Sequence, residues 1–255
     1  MILMIKNKTL YSSIIVIIIW YLLYLFIDIK VIPSPIETIT EFFELLKADL
    51  LKHLAYSIFR IFLALIISLT LGISLGIFLG LNRKYDEIIS PIIYLLYPIP
   101  KISFLPVLMV IFGLGNLSKI ILITLIILFQ ILVTTKDSIK ELKKEHFYSI
   151  NSMGANNIQI YKHLIIPAIL PKLLTALRIS IATSIAVLFF AENFATTYGI
   201  GYFIMDSWIR VNYPQMFSGI LAISLLGLFI YKSIDLIENK YCKWITLEKN
   251  NRYFT

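Results

Sequence analysis

The side chains in this sequence that are able to do chemistry are scattered along the chain. His53, His146 and His163 are far apart and lack the spacing of metal ligands, and Cys242 is the single cysteine. None of the ten glycines lies in a Gly-x-x-x-x-Gly-Lys-Ser/Thr sequence, which excludes a phosphate-binding loop of that type. No serine stands in a recognisable nucleophile turn. The pattern therefore predicts no catalytic residue, no metal and no cofactor in this chain.

Three charged residues are more informative because they fall within apolar stretches: Lys101, Arg178 and Glu192. Such charges usually face protein or water and mark a functional position. About 21 Å of helix would separate Arg178 from Glu192, so the two cannot pair within one helix. The alternatives are snorkelling for Lys101 and Arg178, and a structural hydrogen bond to a neighbouring helix for Glu192. A negative Glu192 would be a poor ligand for an anion, which favours a structural or gating role.

These charges must be positioned by a very apolar chain. Of its 255 residues, 59% are hydrophobic and 15% are charged, and the mean hydropathy is +0.86. Soluble domains are about half apolar and about a quarter charged, so this composition excludes a soluble protein, a disordered chain, a collagen and a coiled coil. It predicts an all-α integral membrane protein with about six transmembrane helices. The predicted spans are residues 10–27, 54–81, 88–113, 120–134, 173–195 and 216–237.

The distribution of basic residues predicts the orientation. The net charge of +8 could indicate nucleic-acid binding, but in a membrane protein it is more typical of basic cytoplasmic loops. With the N-terminus in the cytoplasm, most lysines and arginines fall on the cytoplasmic side. We therefore expect a multi-pass protein of the cell membrane with both termini in the cytoplasm, surrounded by lipid and binding no nucleic acid.

The second predicted span carries small residues at four-residue spacing, namely Ser68, Gly72, Gly76 and Gly80. This spacing places them on one face, where another helix can approach closely. We therefore assign them to helix packing rather than to ligand binding.

The third apolar region is interrupted by prolines at positions 91, 98, 100 and 106, and contains Lys101. Proline kinks a helix, and broken backbone at membrane depth is tolerated where protein or a watery cavity surrounds it. The sequence therefore predicts a bent, buried segment near a translocation path, with Lys101 either at that path or in an interfacial turn.

The chain divides into three predicted segments. Residues 1–53 hold the first helix and an external amphipathic helix over 36–51. Residues 54–237 form the transmembrane core, and residues 238–255 form a cytoplasmic tail.

A polar stretch, residues 136–172, interrupts the core. Its first half, 136–146, has the pattern of a charged helix. We expect a left-handed turn at Gly154 and a second amphipathic helix over 158–166 that ends before Pro167. The pattern fits a projection that docks to a soluble partner, and it also fits an amphipathic loop on the bilayer surface.

This stretch resembles the EAA loop of permeases from binding-protein-dependent ABC importers. The resemblance rests on Met153-Gly154-Ala155-Asn156 and on the apolar segment from Leu164 to Pro171 with its two prolines. One departure is clear: Tyr148-Ser149-Ile150 stands where the family has Glu-Ala-Ala, so the polar contact with the ATPase is altered, and Glu145 could substitute. The implied ATPase-coupling residues are Tyr148, Ile150, Met153, Gly154, Ala155, Asn156, Ile158, Leu164, Pro167 and Pro171.

Further motifs agree with this family in matching order from about residue 31 to 235, and are similar to its nitrate, sulfonate, taurine and bicarbonate branch. They are Pro33-Ser34-Pro35, the trio His53, Ser57 and Arg60, the segments 98–106 and 112–119, Ala176-Leu177-Arg178, Ala191-Glu192 and Tyr198-Gly199-Ile200-Gly201-Tyr202. The resulting candidates for the translocation path or gate are Ser57, Arg60, Lys101, Arg178 and Glu192.

The resemblance implies a type I ABC importer permease with a cytoplasmic coupling helix. It implies two copies of an ATPase subunit that bind ATP and Mg, an extracytoplasmic substrate-binding protein, and a second copy of this chain. The expected solute is a small anion such as a sulfonate, taurine, nitrate or bicarbonate, or else a pyrimidine-type vitamin precursor. The alternatives are an ion-coupled secondary transporter or channel and, third, a membrane-embedded enzyme.

Overall fold

A computed structural model describes residues 8–27 and 31–244 of the chain. Most of the predicted cytoplasmic tail, residues 245–255, lies outside the described residues. Within the described ranges the regular elements are all helices. They are α1 Lys8–Phe26, α2 Pro35–Lys47, α3 Leu50–Leu81, α4 Arg83–Leu96, a short 3-10 turn Lys101–Phe104, α5 Leu105–Phe112, α6 Asn116–Lys140, α7 Lys144–Ser152, α8 Asn157–Glu192, α9 Ile200–Ile209 and α10 Tyr213–Tyr241.

The described helices overlap all of the predicted spans, but fewer than six of them are long and apolar enough to cross a membrane. Four described helices, α3, α6, α8 and α10, are long and apolar enough to cross a membrane. The segments Arg83–Leu96 and Lys101–Phe112 make a fifth if they are taken as one span, and they are bent by 81°. Tyr11–Phe26 is a shorter apolar helix. The all-α membrane fold is therefore confirmed, and so is the bend in the third region, but much of the apolar surface of that region is exposed in this chain rather than buried.

The chain forms two compact units. The first combines the chain up to Ser57 with Glu192–Leu225. In it, Ser34 caps α2 by accepting a hydrogen bond from the backbone N–H of Glu37 at 3.1 Å. The hydroxyl of Ser218 donates to the carbonyl of Thr38 at 3.1 Å, which fixes α2 against α10. The amphipathic helix therefore forms, although it ends at Lys47 and not at residue 51.

The second unit combines Ile58–Ala191 with the chain from Leu226 onward. Its helices α3 and α6 pack closely because α3 presents small residues to α6. The hydroxyl of Ser68 donates to the carbonyl of Thr124 at 3.0 Å. A Cβ built on the glycines would lie 3.0 Å from Ile131 at Gly72, 2.6 Å from Thr135 at Gly76 and 2.9 Å from Ile139 at Gly80. This face of α3 thus has no room for larger side chains.

Helix α6 is longer than the sequence predicts. The predicted span ended at residue 134 and was followed by a separate charged helix over 136–146, whereas α6 is one helix that continues to Lys140. The helix can continue because the ammonium of Lys136 finds polar partners inside the protein: it donates to Ser90 Oγ at 2.7 Å and to the Tyr94 phenol at 3.0 Å. The predicted charged helix over 136–146 is therefore two elements, the end of α6 and the start of α7.

Helix α8 does not end before Pro167, so that prediction is also wrong. The segment Asn157–Glu192 is one continuous 36-residue helix. Tyr161–Ile165 forms a π-helical turn, in which the N–H of Ile166 donates to the carbonyl of Tyr161 five residues earlier. Pro167 then falls in the first turn of the α-helical segment that follows, where a missing backbone N–H is tolerated.

Gly76→Ala is expected to destabilise the protein, because the new Cβ would lie 2.6 Å from Thr135 and 2.9 Å from the carbonyl oxygen of Leu132. Overpacking of this kind costs about 1–3 kcal/mol. Thermal unfolding of the detergent-purified chain should show a lowered Tm. Gly115→Ala is the matched control, since no described atom lies within 4 Å of its Cβ. Equal Tm values for the two variants would contradict the close packing of α3 on α6.

Candidate functional site

The turn between α7 and α8 is built by local hydrogen bonds. Gly154 has φ of +75°, a left-handed conformation that glycine adopts without steric cost, and its N–H donates to Asn151 O at 2.9 Å. Asn156 then caps α8 in a reciprocal pair with Gln159. The side chain of Asn156 accepts from the Gln159 N–H at 2.9 Å, and the side chain of Gln159 accepts from the Asn156 N–H at 2.8 Å. The turn is thus well defined.

The same turn presents apolar side chains on the outside of the chain. Tyr148, Met153 and Ile158 are 68%, 75% and 76% exposed. Glu145 is exposed as well. The other predicted coupling residues, Ile150, Ala155, Leu164, Pro167 and Pro171, are half-buried, while Gly154 and Asn156 are exposed. Exposed apolar side chains rimmed by polar ones are typical of a docking surface.

The turn is anchored to α6 by a small apolar cluster. Ile165 and Ile169 of α8 are buried with Ile139 of α6, and Ile77 and Ile160 pack around them. A displacement of the turn would therefore be passed directly to α6 and α8.

Glu192 is fully buried at the end of α8 and accepts hydrogen bonds from two other segments. The hydroxyl of Ser57 donates to its carboxylate, with oxygen distances of 2.8 and 3.0 Å, and the N–H of Gly201 donates at 2.8 Å. The Ser57 hydroxyl in turn accepts from the N–H of Ile200 at 2.9 Å. We call Ser57, Glu192, Ile200 and Gly201 the Glu192 node; it joins the ends of α3, α8 and α9.

His53 lies beside the Glu192 node. Its Nδ1 is 3.0 Å from the carbonyl oxygen of Gly199, and its ring stacks on Tyr202 at a centroid distance of 5.9 Å. The polar positions 53 and 57 on α3 therefore both hold the segment that leads into α9. The structure thus brings together residues from three of the separated sequence motifs.

The remaining path candidates have separate partners. Arg60 is buried and donates from Nε and an Nη to the side-chain oxygen of Asn116 at 2.9 and 2.7 Å. Arg178 donates to Asp235 at 2.9 Å and also pairs with Glu238, so it is held by α10. Lys101 is half-buried at the bend between α4 and α5.

A second buried polar group was missed by sequence reasoning. Lys136 is fully buried, and besides Ser90 and Tyr94 it lies 3.7 Å from a carboxylate oxygen of Asp86. Asp86 also accepts from the Ser90 hydroxyl at 2.5 Å and pairs with Lys140. The four-residue spacing of polar side chains could have indicated this network. Positions 86, 90 and 94 share one face of α4, and positions 136 and 140 share one face of α6.

Two cavities run along the second unit. One of about 470 Å³ is lined by Gln130, Thr134, Thr175, Lys172 and Glu238 among others. The other, of about 370 Å³, lies between the bend at 97–102, α6 and α8. Both are lined by Gln130.

No group of three or more His, Cys, Asp or Glu side chains among the described residues is arranged to hold a metal ion. Burial raises the pKa of the Cys242 thiol, with a further contribution from Glu238, which keeps this cysteine protonated and weakly nucleophilic.

Comparison with known proteins agrees with this arrangement. Residues 68–242 match the family described as binding-protein-dependent transport system inner membrane component. The chain belongs to this family. The match includes the turn between α7 and α8, both cavities and the long helices of the second unit. In this permease, therefore, those features belong to the part that the family shares.

Two curated relatives are also permeases of named transport systems. This chain is 28% identical over 197 residues to the taurine transport system permease protein TauC of Escherichia coli (strain K12). That alignment covers 77% of this chain and 72% of TauC. This chain is 27% identical over 213 residues to the formylaminopyrimidine transport permease protein ThiX of Halalkalibacterium halodurans. That alignment covers 84% of this chain and 85% of ThiX.

The fold has a solved counterpart. A structure of the MetNI methionine ABC transporter in an inward-facing conformation superposes with a TM-score of 0.63 and 21% identity, covering 74% of this chain and 96% of that chain. The permease thus has the fold of an ABC importer membrane subunit.

Asp86→Ala is expected to destabilise the permease strongly. It removes the more buried of the two carboxylates, Asp86 and Asp137, that lie 3.7 Å from the fully buried ammonium of Lys136, and breaking a buried pair costs about 3–5 kcal/mol. Unfolding of the purified permease measures the change. Glu87→Ala is the control, because it breaks an exposed pair with Arg83 that contributes about 0–1 kcal/mol. Similar losses for both variants would show that the buried network is not stabilising.

Glu192→Leu is expected to be much more damaging than Glu192→Gln. Leucine leaves the buried Ser57 hydroxyl and Gly201 N–H without their acceptor, at about 1–3 kcal/mol each, whereas glutamine keeps one carbonyl oxygen. The yield of monodisperse protein and its Tm report the difference. If the two variants behaved alike, the hydrogen bonds of the Glu192 node would not be what holds α9.

Proposed function

We propose that this permease subunit of an ABC importer conducts a small organic anion across the cell membrane, driven by ATP hydrolysis on two copies of a separate ATPase. The chain itself contributes gating and conduction and carries no catalytic site. ATP and Mg would be bound by the ATPase. The further partners would be an extracytoplasmic substrate-binding protein, a second copy of this chain and membrane lipid.

The observation that carries this proposal is the exposed turn between α7 and α8. A well-capped turn with Met153 and Ile158 about three-quarters exposed is suited to insertion into a groove of a soluble partner. Its tight connection to α6 through Ile139 and Ile165 gives it a route to the helices that line the cavities. A free amphipathic loop on the bilayer would need no such anchoring.

Coupling requires that the turn make different contacts in the two states of the ATPase. Closure of the ATPase on ATP would move the turn, and the continuous helix α8 would carry that movement from residue 157 to the Glu192 node. The Arg178 ion pairs with α10 would stay on the cytoplasmic side of this lever, given cytoplasmic termini. The path would then change from inward-facing to outward-facing.

The anionic solute is supported by the relationship to the putative aliphatic sulfonates transport permease protein SsuC of Escherichia coli (strain K12), because an aliphatic sulfonate is an anion. The relationship to TauC supports recognition of a sulfonate group, although taurine also carries an ammonium and is a zwitterion. ThiX supports a second candidate, a pyrimidine-type precursor. Both would be selected first by the binding protein.

Purification of the tagged chain from its own membranes in mild detergent tests the proposal, with partners identified by mass spectrometry. We expect a stoichiometric ATPase subunit. Ile158→Glu should abolish its recovery without lowering the Tm of the permease, because the Ile158 side chain is exposed and a charge there opposes an apolar contact. Asn239→Glu, at an exposed position near the end of α10, is the control and should retain the ATPase.

A chain that purifies alone from membranes that contain the ATPase would contradict the proposal. Full recovery of the ATPase with Ile158→Glu would contradict the assignment of the turn as the docking surface.

A further inference from the structure

The cavity beside the bend has the composition of a binding site for an organic ion. Its volume of about 370 Å³ falls in the range of small-molecule sites, about 300–1,000 Å³. The bend at 97–102 supplies one wall, and α6 and α8 supply the others. Phe129, Phe190 and Val187 make its walls mostly apolar, while Gln130 and Thr183 add an amide and a hydroxyl. Few polar groups on apolar walls are typical of such sites.

Lys101 supplies the charge. Its ammonium donates to the carbonyl of Leu96 at 3.1 Å and to that of Tyr97, at the end of α4. It lies over the rings of Tyr97 and Phe129, at 5.2 and 4.8 Å from their centroids. The two carbonyls fix its position at the cavity wall, and an ammonium has a third N–H to offer a ligand.

The sign of the charge selects the ligand. Among the described residues that line this cavity, Lys101 carries the one formal charge, and none is a carboxylate. An apolar surround strengthens the interaction with an anion and disfavours a cation. The larger cavity on the other side of Gln130 differs, because both Lys172 and Glu238 line it.

We infer that this cavity binds an organic monoanion, with a sulfonate or carboxylate group at Lys101 and an apolar body against Phe129 and Phe190. Its role as a stop along the transport path rests on the proposed function, but binding itself does not. The competing interpretation is that Lys101 does no more than cap the carbonyl end of α4, where a cation is favourable. Capping predicts an effect on stability and none on anion binding.

Ligand-observed NMR of the full-length purified chain, titrated with sodium 1-propanesulfonate, tests the inference. We expect saturable binding, and no saturable binding of propylammonium chloride, which has the opposite charge. Lys101→Gln should weaken propanesulfonate binding about tenfold or more, whereas Lys101→Arg should retain it. Lys47→Gln, on the exposed face of α2, is the matched control and should bind as the unmodified chain does.

A second variant keeps the test independent of the fold of the Lys101 variants. Phe190→Ala should weaken propanesulfonate more than methanesulfonate, because only the longer anion has a body to place against the ring. Binding that is absent, unaffected by Lys101→Gln, or equal for propylammonium would overturn the inference. The co-purification of the ATPase and the titration with propanesulfonate test different claims. Anion binding by a chain that purifies without an ATPase would refute the proposed function alone. Recovery of the ATPase by a chain that binds no anion would refute the proposed anion site alone.

Discussion

Every buried charge in this protein must find its partner within the protein, because the hydrocarbon core of a membrane offers no water to replace a missing one. This constraint explains the arrangement of the polar residues. Lys136 and Glu192 have no exposed surface; Lys136 donates hydrogen bonds to side chains of α4, and Glu192 accepts hydrogen bonds from α3 and α9. Such bonds fix which helices lie side by side, a task that apolar contacts, which are nearly as favourable with lipid, do less well.

The helices themselves could be predicted from the sequence, because hydropathy and residue spacing are local properties. The apolar stretches, the small residues from Ser68 to Gly80 and the turn at Gly154 all follow from residues close in sequence. The ends of the helices could not be predicted in this way, because they depend on side chains that are far away in the sequence. A charged residue at position 136 indicates the end of an apolar span, but the partners supplied by α4 allow its ammonium to be buried within a longer helix.

The candidate site was predicted unevenly for the same reason. The resemblance to a permease family assigned Ser57 and Glu192 to one function without indicating that they bond to each other, since they are far apart in sequence. The partners of Arg178 had a visible signal, because Asp235 and Glu238 are one helical turn apart on α10. Asn116, the partner of Arg60, had no such signal in the sequence apart from its position after a glycine turn.

The π-helical turn at Tyr161–Ile165 has a consequence for the rotational phase of α8. Each residue of an α-helix advances by about 100°, and a π turn absorbs one extra residue without breaking the helix. The exposed side chains at the start of α8 and the side chains that line the cavities are therefore set at an angle that a regular helix of this sequence would not produce. The direction of the proposed docking surface relative to the cavities is in this way set by a single residue.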